Sequence, residues 1–191
     1  MKHTPVQFFF DFSDPVSYLV ARELAAIDHP AGRAVAWVPF ERRPPPASLV
    51  TTDDPALAAR WASCRQQSES RDILFAPARL VPWTRKSHEL ALYAETHGVG
   101  DAVRNRIFEA YLLEGRDIGR VDVLVEIGVA FGLDVTETKA VLDVDRFEQA
   151  VLEAREEALQ AGVTDAPTIV AGGGSVRGFH NRTALGTFLG P

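Results

Sequence analysis

Residues Phe8 to Leu19 read FFFDFSDPVSYL, and the fold turns on how this stretch divides. Val6 to Phe10 is short, aromatic-rich and apolar but for Gln7, which predicts a buried strand. From Pro15 onward Val16, Leu19, Val20, Leu24 and Ile27 recur at helical spacing and predict a helix to about Ala26. Pro15 suits the first helical position and Asp14 the N-cap, so the junction between strand and helix falls at Ser13-Asp14.

Working outward, Ala34 to Phe40 predicts a second apolar strand, ended by Pro39 and a loop carrying Pro44-Pro45-Pro46. Strand, helix, strand in that order implies a right-handed unit with parallel strands. Between Pro55 and Gln160 no strand is predicted. Amphipathic helical patterns cover Pro55 to Asp72, Thr84 to Thr96, Ala102 to Leu113, Val121 to Phe131, Val135 to Leu142 and Arg146 to Ala161. The β pattern returns at Pro167 to Ala171, turns through Gly172-Gly173-Gly174 and continues from Ser175 to Arg177 as a hairpin. A terminal helix from Asn181 to Leu189 has Asn181 as its cap. The expected fold class is α/β, a thioredoxin-like fold with a large all-helical insertion after the second strand. Residues 1–50 and 162–191 form the expected thioredoxin-like domain. Residues 51–161 form the inserted subdomain, with helix 146–161 packing back onto the thioredoxin part.

Bulk properties narrow the function classes. A chain of 191 residues, 46% hydrophobic and 24% charged, is one globular domain or one domain with an insert. A net charge of -6 with no dense Lys/Arg stripe speaks against nucleic acid as a partner. Glu41-Arg42-Arg43 before the prolines reads as a solvated loop face. The N-terminal apolar run is broken by Asp11 and lacks a small-residue cleavage site, and nothing reaches membrane-spanning length. The single Cys64 has no internal disulfide partner, so a reducing, cytoplasmic location is expected and the Asn181-Arg182-Thr183 sequon is idle.

The opening stretch FDFSDPVSYL resembles the active-site segment of DsbA-like proteins, Asp-x-x-Cys-Pro-x-Cys-Tyr-Leu. It is also similar to the 2-hydroxychromene-2-carboxylate isomerase and kappa glutathione transferase branch, Asp-x-x-Ser-Pro-Tyr-Ser-Tyr-Leu. SHELALYAETHG through IFEAYLLEGRDIGRVDVLVEIGVAFGLD looks like the helical insert of the cytosolic DsbA-like group. AGVTDAPTIVAGGGSVRG resembles that family's Gly-Val-x-Gly-Val-Pro-Thr-Phe segment. The resemblance implies a thiol- or glutathione-related isomerase or transferase-like enzyme under the family label of disulfide oxidoreductase. No tightly bound cofactor is implied, glutathione is the candidate ligand, and a small-molecule thiol or an extended peptide is the implied partner. It also implies a cis Ala166-Pro167 bond, whose Ala166 N–H and C=O would pair with an extended ligand. From the sequence alone, an X–Pro bond is ordinarily trans.

Both sulfurs of the motif are absent. The first catalytic position falls on Asp14 and the second on Ser17, so dithiol exchange by the usual route is not expected. Asp14 has two readings, an N-cap carboxylate or a general base with an electrostatic role. Ser13 is either a loop serine bonding local backbone or a stand-in for the missing hydroxyl. Ser17, third in the helix, is a capping-box partner or a ligand contact. Pro15, Ala166, Pro167 and Thr84 are the candidate substrate- or glutathione-binding residues, Thr84 first as a helix cap and second as a ligand contact. His88 reads as packed or solvated, and no metal site is expected from His88, His97 or Cys64. Phe8 to Phe10, Trp37 and Trp61 read as core. Two further readings stand beside the enzyme: a non-redox module binding a peptide or small ligand, and a vestigial cleft in a protein acting through a homodimer surface.

Overall fold

The computed structural model describes residues 6–27, 35–51, 54–69, 71–76 and 80–190. The expected start of the second strand at Ala34 lies outside the described residues. Along the chain run β1 (Val6–Phe10), α1 (Pro15–Ala25), β2 (Val35–Pro39), β3 (Val50–Thr51), α2 (Pro55–Glu69), β4 (Leu80–Val81), α3 (Arg85–Thr96), α4 (Gly100–Leu112), α5 (Val121–Ala130), α6 (Val135–Asp143), α7 (Glu148–Gln160), β5 (Thr168–Ala171), β6 (Gly174–Arg177) and α8 (Arg182–Leu189). They form two compact units, Met1–Arg42 with Ala154–Pro191, and Arg43–Glu153.

The first unit is built on a four-stranded sheet in the order β2-β1-β5-β6. β1 pairs parallel with β2, from Val6 opposite Val35 to Phe10 opposite Pro39, and antiparallel with β5. β5 and β6 close a hairpin in which Ala171 faces Gly174. Gly172 and Gly173 between them both have positive φ, the backbone a two-residue hairpin turn demands. This is the expected thioredoxin-like topology.

The alternation of side chains along β1 divides the core. Phe9 points to one face and packs with Phe40, Ala158 of α7, Val163 and Ala166. Phe8 and Phe10 point to the other face, where Phe10 meets Phe12 and Trp37 edge-on at centroid separations of 5.0 and 5.2 Å. Phe8, Phe10 and Phe12 are buried, each burial contributing about 1.5–3 kcal/mol. Trp37 is a correction: it is half-buried rather than core, because β2 is the sheet's edge strand. Arg155 of α7 lies over the Phe40 ring, and its Nε donates to the Glu41 carbonyl at 2.8 Å. The Arg182 N–H at the start of α8 donates to Glu23 of α1 at 2.7 Å.

The second unit is helical, with one departure from expectation. β3 and β4 form a two-residue antiparallel pair, Val50 with Val81 and Thr51 with Leu80. Two residues are too short to carry a period in sequence, so β4 was invisible there. Trp61 of α2 is buried as expected, edge-on to Phe75 at 5.5 Å. Cys64 is fully buried in the same helix.

His88 of α3 is fully buried, and burial pushes its imidazole down to about 3. An unfolded chain protonates this side chain near pH 6.5, so acid favours unfolding between those values. Stability from His88 is therefore complete above pH 6.5 and falls by about 1.4 kcal/mol per pH unit below it. Burial raises neighbouring Glu89, whose contribution has the opposite sign, so the comparison with a variant isolates the histidine. Urea unfolding of wild type and His88→Gln at pH 7 and pH 5 checks this: the wild type loses more stability between the two, by the equivalent of about one proton.

Candidate functional site

In the first unit, the parallel pairing of β1 and β2 brings their C-terminal ends side by side. The turn 11–14 leaves one end and Arg42 follows the other. Asp11, just past β1, is buried and organises the turn. Its Oδ1 accepts the Ser13 N–H at 3.1 Å and the Ser13 hydroxyl at 3.2 Å, and its Oδ2 accepts the Arg42 N–H at 2.8 Å. The Asp11 N–H donates to Ser17 Oγ at 3.3 Å.

Asp14 is the N-cap of α1, in extended conformation at φ -100 and ψ 113. Its Oδ2 accepts both the Ser17 N–H and the Ser17 hydroxyl, each at 2.7 Å. Pro15 has no N–H, the Tyr18 N–H donates to the Asp14 carbonyl, and the Ser17 N–H is consumed by the cap. At the positive end of the helix the Ser17 N–H is thus taken from within by a carboxylate. Asp14 and Ser17 are both buried, and Arg42 Nη1 approaches Asp14 Oδ1 at 3.9 Å.

Arg42 also reaches the segment before β5. Its Nε donates to Asp165 Oδ1 at 2.6 Å, and the same oxygen accepts the Ala166 N–H at 2.9 Å. The Asp165 carbonyl accepts the Thr168 hydroxyl at 2.6 Å. The Ala166–Pro167 peptide is cis, and the Pro167 carbonyl accepts the Gly178 N–H at 2.9 Å. Arg42 and Asp165 keep 28% and 34% of their side chains exposed, against none for Asp14, so solvent reaches the first pair and not the cap.

Ser13, Asp14, Pro15, Ser17, Ala166 and Pro167 all lie in this unit, linked through Asp11, Arg42 and Asp165. Asp14 caps, and Ser17 is the capping partner. Ser13 bonds the Asp11 carboxylate rather than backbone oxygen. Three expectations are corrected. Glu41-Arg42 is no solvated face: Glu41 is fully buried, and Arg42 is held between two carboxylates. The Ala166 N–H is engaged by the preceding side chain. Thr84, in the second unit, stands at the N-cap of α3 without a side-chain cap hydrogen bond, and its φ/ψ of -100 and 3 is not the extended cap geometry.

A family model described as DSBA-like thioredoxin domain matches residues 5–188. The chain belongs to this family. The Bacillus subtilis (strain 168) protein YwbO is 28% identical to it over 143 residues, 72% of each chain. A probable DsbA oxidoreductase from Streptomyces coelicolor shares the fold at a TM-score of 0.84 and 22% identity, covering 98% of this chain and 88% of that one. A 2-hydroxychromene-2-carboxylate isomerase does so at 0.77 and 18%, covering 92% and 89%. The cytosolic disulfide reductase DsbM from Pseudomonas aeruginosa, solved with GSH, does so at 0.69 and 19%, covering 97% and 92%. Among the described residues no helix is long and apolar enough to cross a membrane. Nor does any group of three or more His, Cys, Asp and Glu among them have an arrangement suited to a metal ion.

Proposed function

We propose that this DSBA-family protein works without dithiol exchange, holding a small thiol-derived ligand noncovalently, as an isomerase- or transferase-like enzyme would. The observation that carries this reading is the Asp14 carboxylate seated on the N-terminus of α1, where a sulfur anion would otherwise be stabilised. A thiolate about 4 Å from that charge is disfavoured by roughly 4 kcal/mol at an effective dielectric of 20, or about three pK units. A neutral thiol or thioether carries no such penalty. The half-buried Ser13 hydroxyl gives its proton to Asp11 and so offers lone pairs, which suits an S–H donor. Arg42 and Asp165 supply a cation and a carboxylate for the ligand's polar groups. By chemistry the class spans simple thiols and thioethers at one end and peptide thiols such as glutathione and its conjugates at the other.

The alternative, binding without turnover, has its own support: Asp14 is buried and its Oδ2 is taken by the cap, so it is no ready base. The test pairs two assays. The purified protein does not accelerate the reduction of insulin disulfides by a dithiol over the uncatalysed rate, and thioglycerol shifts the Ser13 amide resonance with a dissociation constant of about 1 mM or above, weakened in Ser13→Ala. Insulin reduction that disappears in Cys64→Ser sinks the proposal; turnover on an electrophile separates enzyme from binding module.

A further inference from the structure

Asp165 is the residue of this site whose placement the thiol chemistry leaves unexplained. One of its oxygens does two things at once: Oδ1 takes the Arg42 Nε–H at 2.6 Å and the Ala166 N–H at 2.9 Å. An ion pair alone would use either oxygen in many geometries. Here the guanidinium holds the carboxylate against the backbone donor of the next residue. A ligand lying extended along the segment that leads into β5 needs that donor, because main-chain pairing begins with an N–H to a carbonyl. Asp165 fills it in advance.

Resting on the thiol-ligand reading, we infer that Asp165 sets the ligand class: it is an internal substitute for a ligand's backbone carbonyl, and it selects small thiols and thioethers without a peptide backbone over peptide thiols. The selection has two parts. A peptide carbonyl must displace a charged acceptor from the Ala166 N–H, and a charge-assisted bond is about twice as strong as a neutral one. The displaced carboxylate must also leave its short contact with Arg42. A ligand whose polar atoms reach only Ser13 and the exposed faces of Arg42 and Asp165 meets neither obstacle. Discrimination of this kind comes from the group that opposes the wrong ligand, not from added contacts to the right one.

The test is an amide-resolved NMR titration of wild type, Asp165→Gly and Asp165→Asn with two probes, thioglycerol and reduced glutathione. Asp165→Gly is expected to shift the ratio of the two dissociation constants at least about tenfold toward glutathione, with the Ala166 amide shifting on glutathione binding, while thioglycerol gains nothing and loses its contact with the Asp165 carboxylate. Asp165→Asn keeps an acceptor oxygen beside Ala166 but loses the charge and the ion pair with Arg42, and is expected to show a smaller shift of the same ratio than Asp165→Gly. Circular dichroism establishes that each variant is folded. If wild type and Asp165→Gly bind glutathione alike while both bind thioglycerol, the inference is overturned and the thiol-ligand reading stands. Equal gains for both probes also overturn it, since relief of negative charge alone would then be the cause. If no variant binds either probe, both the inference and the reading beneath it are lost.

Discussion

Phe10→Ala is expected to cost the protein about 3–5 kcal/mol of stability, the range for emptying a fully buried phenylalanine site. Phe10 is 1% exposed and sits between Phe8, Phe12 and Trp37, so its removal leaves a cavity walled by rings too large to close it. Edge-on aromatic pairs add about 0.5–1.5 kcal/mol each beyond area burial, which places the cost toward the upper part of that range. A loss of this size is a large share of the 5–15 kcal/mol typical of a folded protein. The consequence reaches the site. Phe10 is the last residue of β1, and Asp11 follows it directly, so slack there loosens the carboxylate that holds Ser13 and Arg42. Urea unfolding of the variant should show a lowered midpoint with an unchanged slope. An unfolding free energy within about 1 kcal/mol of wild type would mean that the aromatic cluster is not what anchors the sheet.

Much of this architecture was legible in the chain because its signals are local. Val6–Phe10 is apolar at every position but Gln7, and Asp14-Pro15 carries a complete helix start. Helices α3 to α6 of the second unit announce themselves by period, whereas α2 carries almost none. The site was legible only in half. Asp14, Ser17 and Ser13 lie within one short turn, where spacing along the chain is spacing in space. Arg42 and Asp165 are separated by 123 residues, and nothing about either alone shows that they meet. A signal did exist for Arg42: in a parallel pair the residue after the second strand lands beside the turn after the first. Reading Glu41-Arg42-Arg43 as solvated charge overlooked that placement. Ala166 shows a different limit. A backbone donor can be located from sequence, but whether a neighbouring side chain has already taken it depends on a rotamer. The same holds at Thr84, whose type suits a cap while its backbone geometry does not.

The central claim is that the N-terminus of α1 still has the power to stabilise a sulfur anion, and that Asp14 occupies it. Asp14→Cys tests this directly by exchanging one anion-forming group for another at the same position. The new thiol would meet the Ser17 N–H and hydroxyl that now serve the carboxylate at 2.7 Å, with Arg42 beside it. Helix N-termini with a neighbouring cation lower a cysteine well below its ordinary 8.5, to about 3.5–7.5. At pH 6 that raises the thiolate fraction on the order of a hundredfold over an unperturbed thiol. Cys64 is fully buried, so the wild-type protein supplies the blank. The measurement is the pH profile of the iodoacetamide alkylation rate of Asp14→Cys against wild type. The account predicts an inflection at least about two units below 8.5 and rapid alkylation at pH 6. A profile rising only near pH 8.5 would contradict it, showing that the helix end has no such power and that Asp14 excludes nothing.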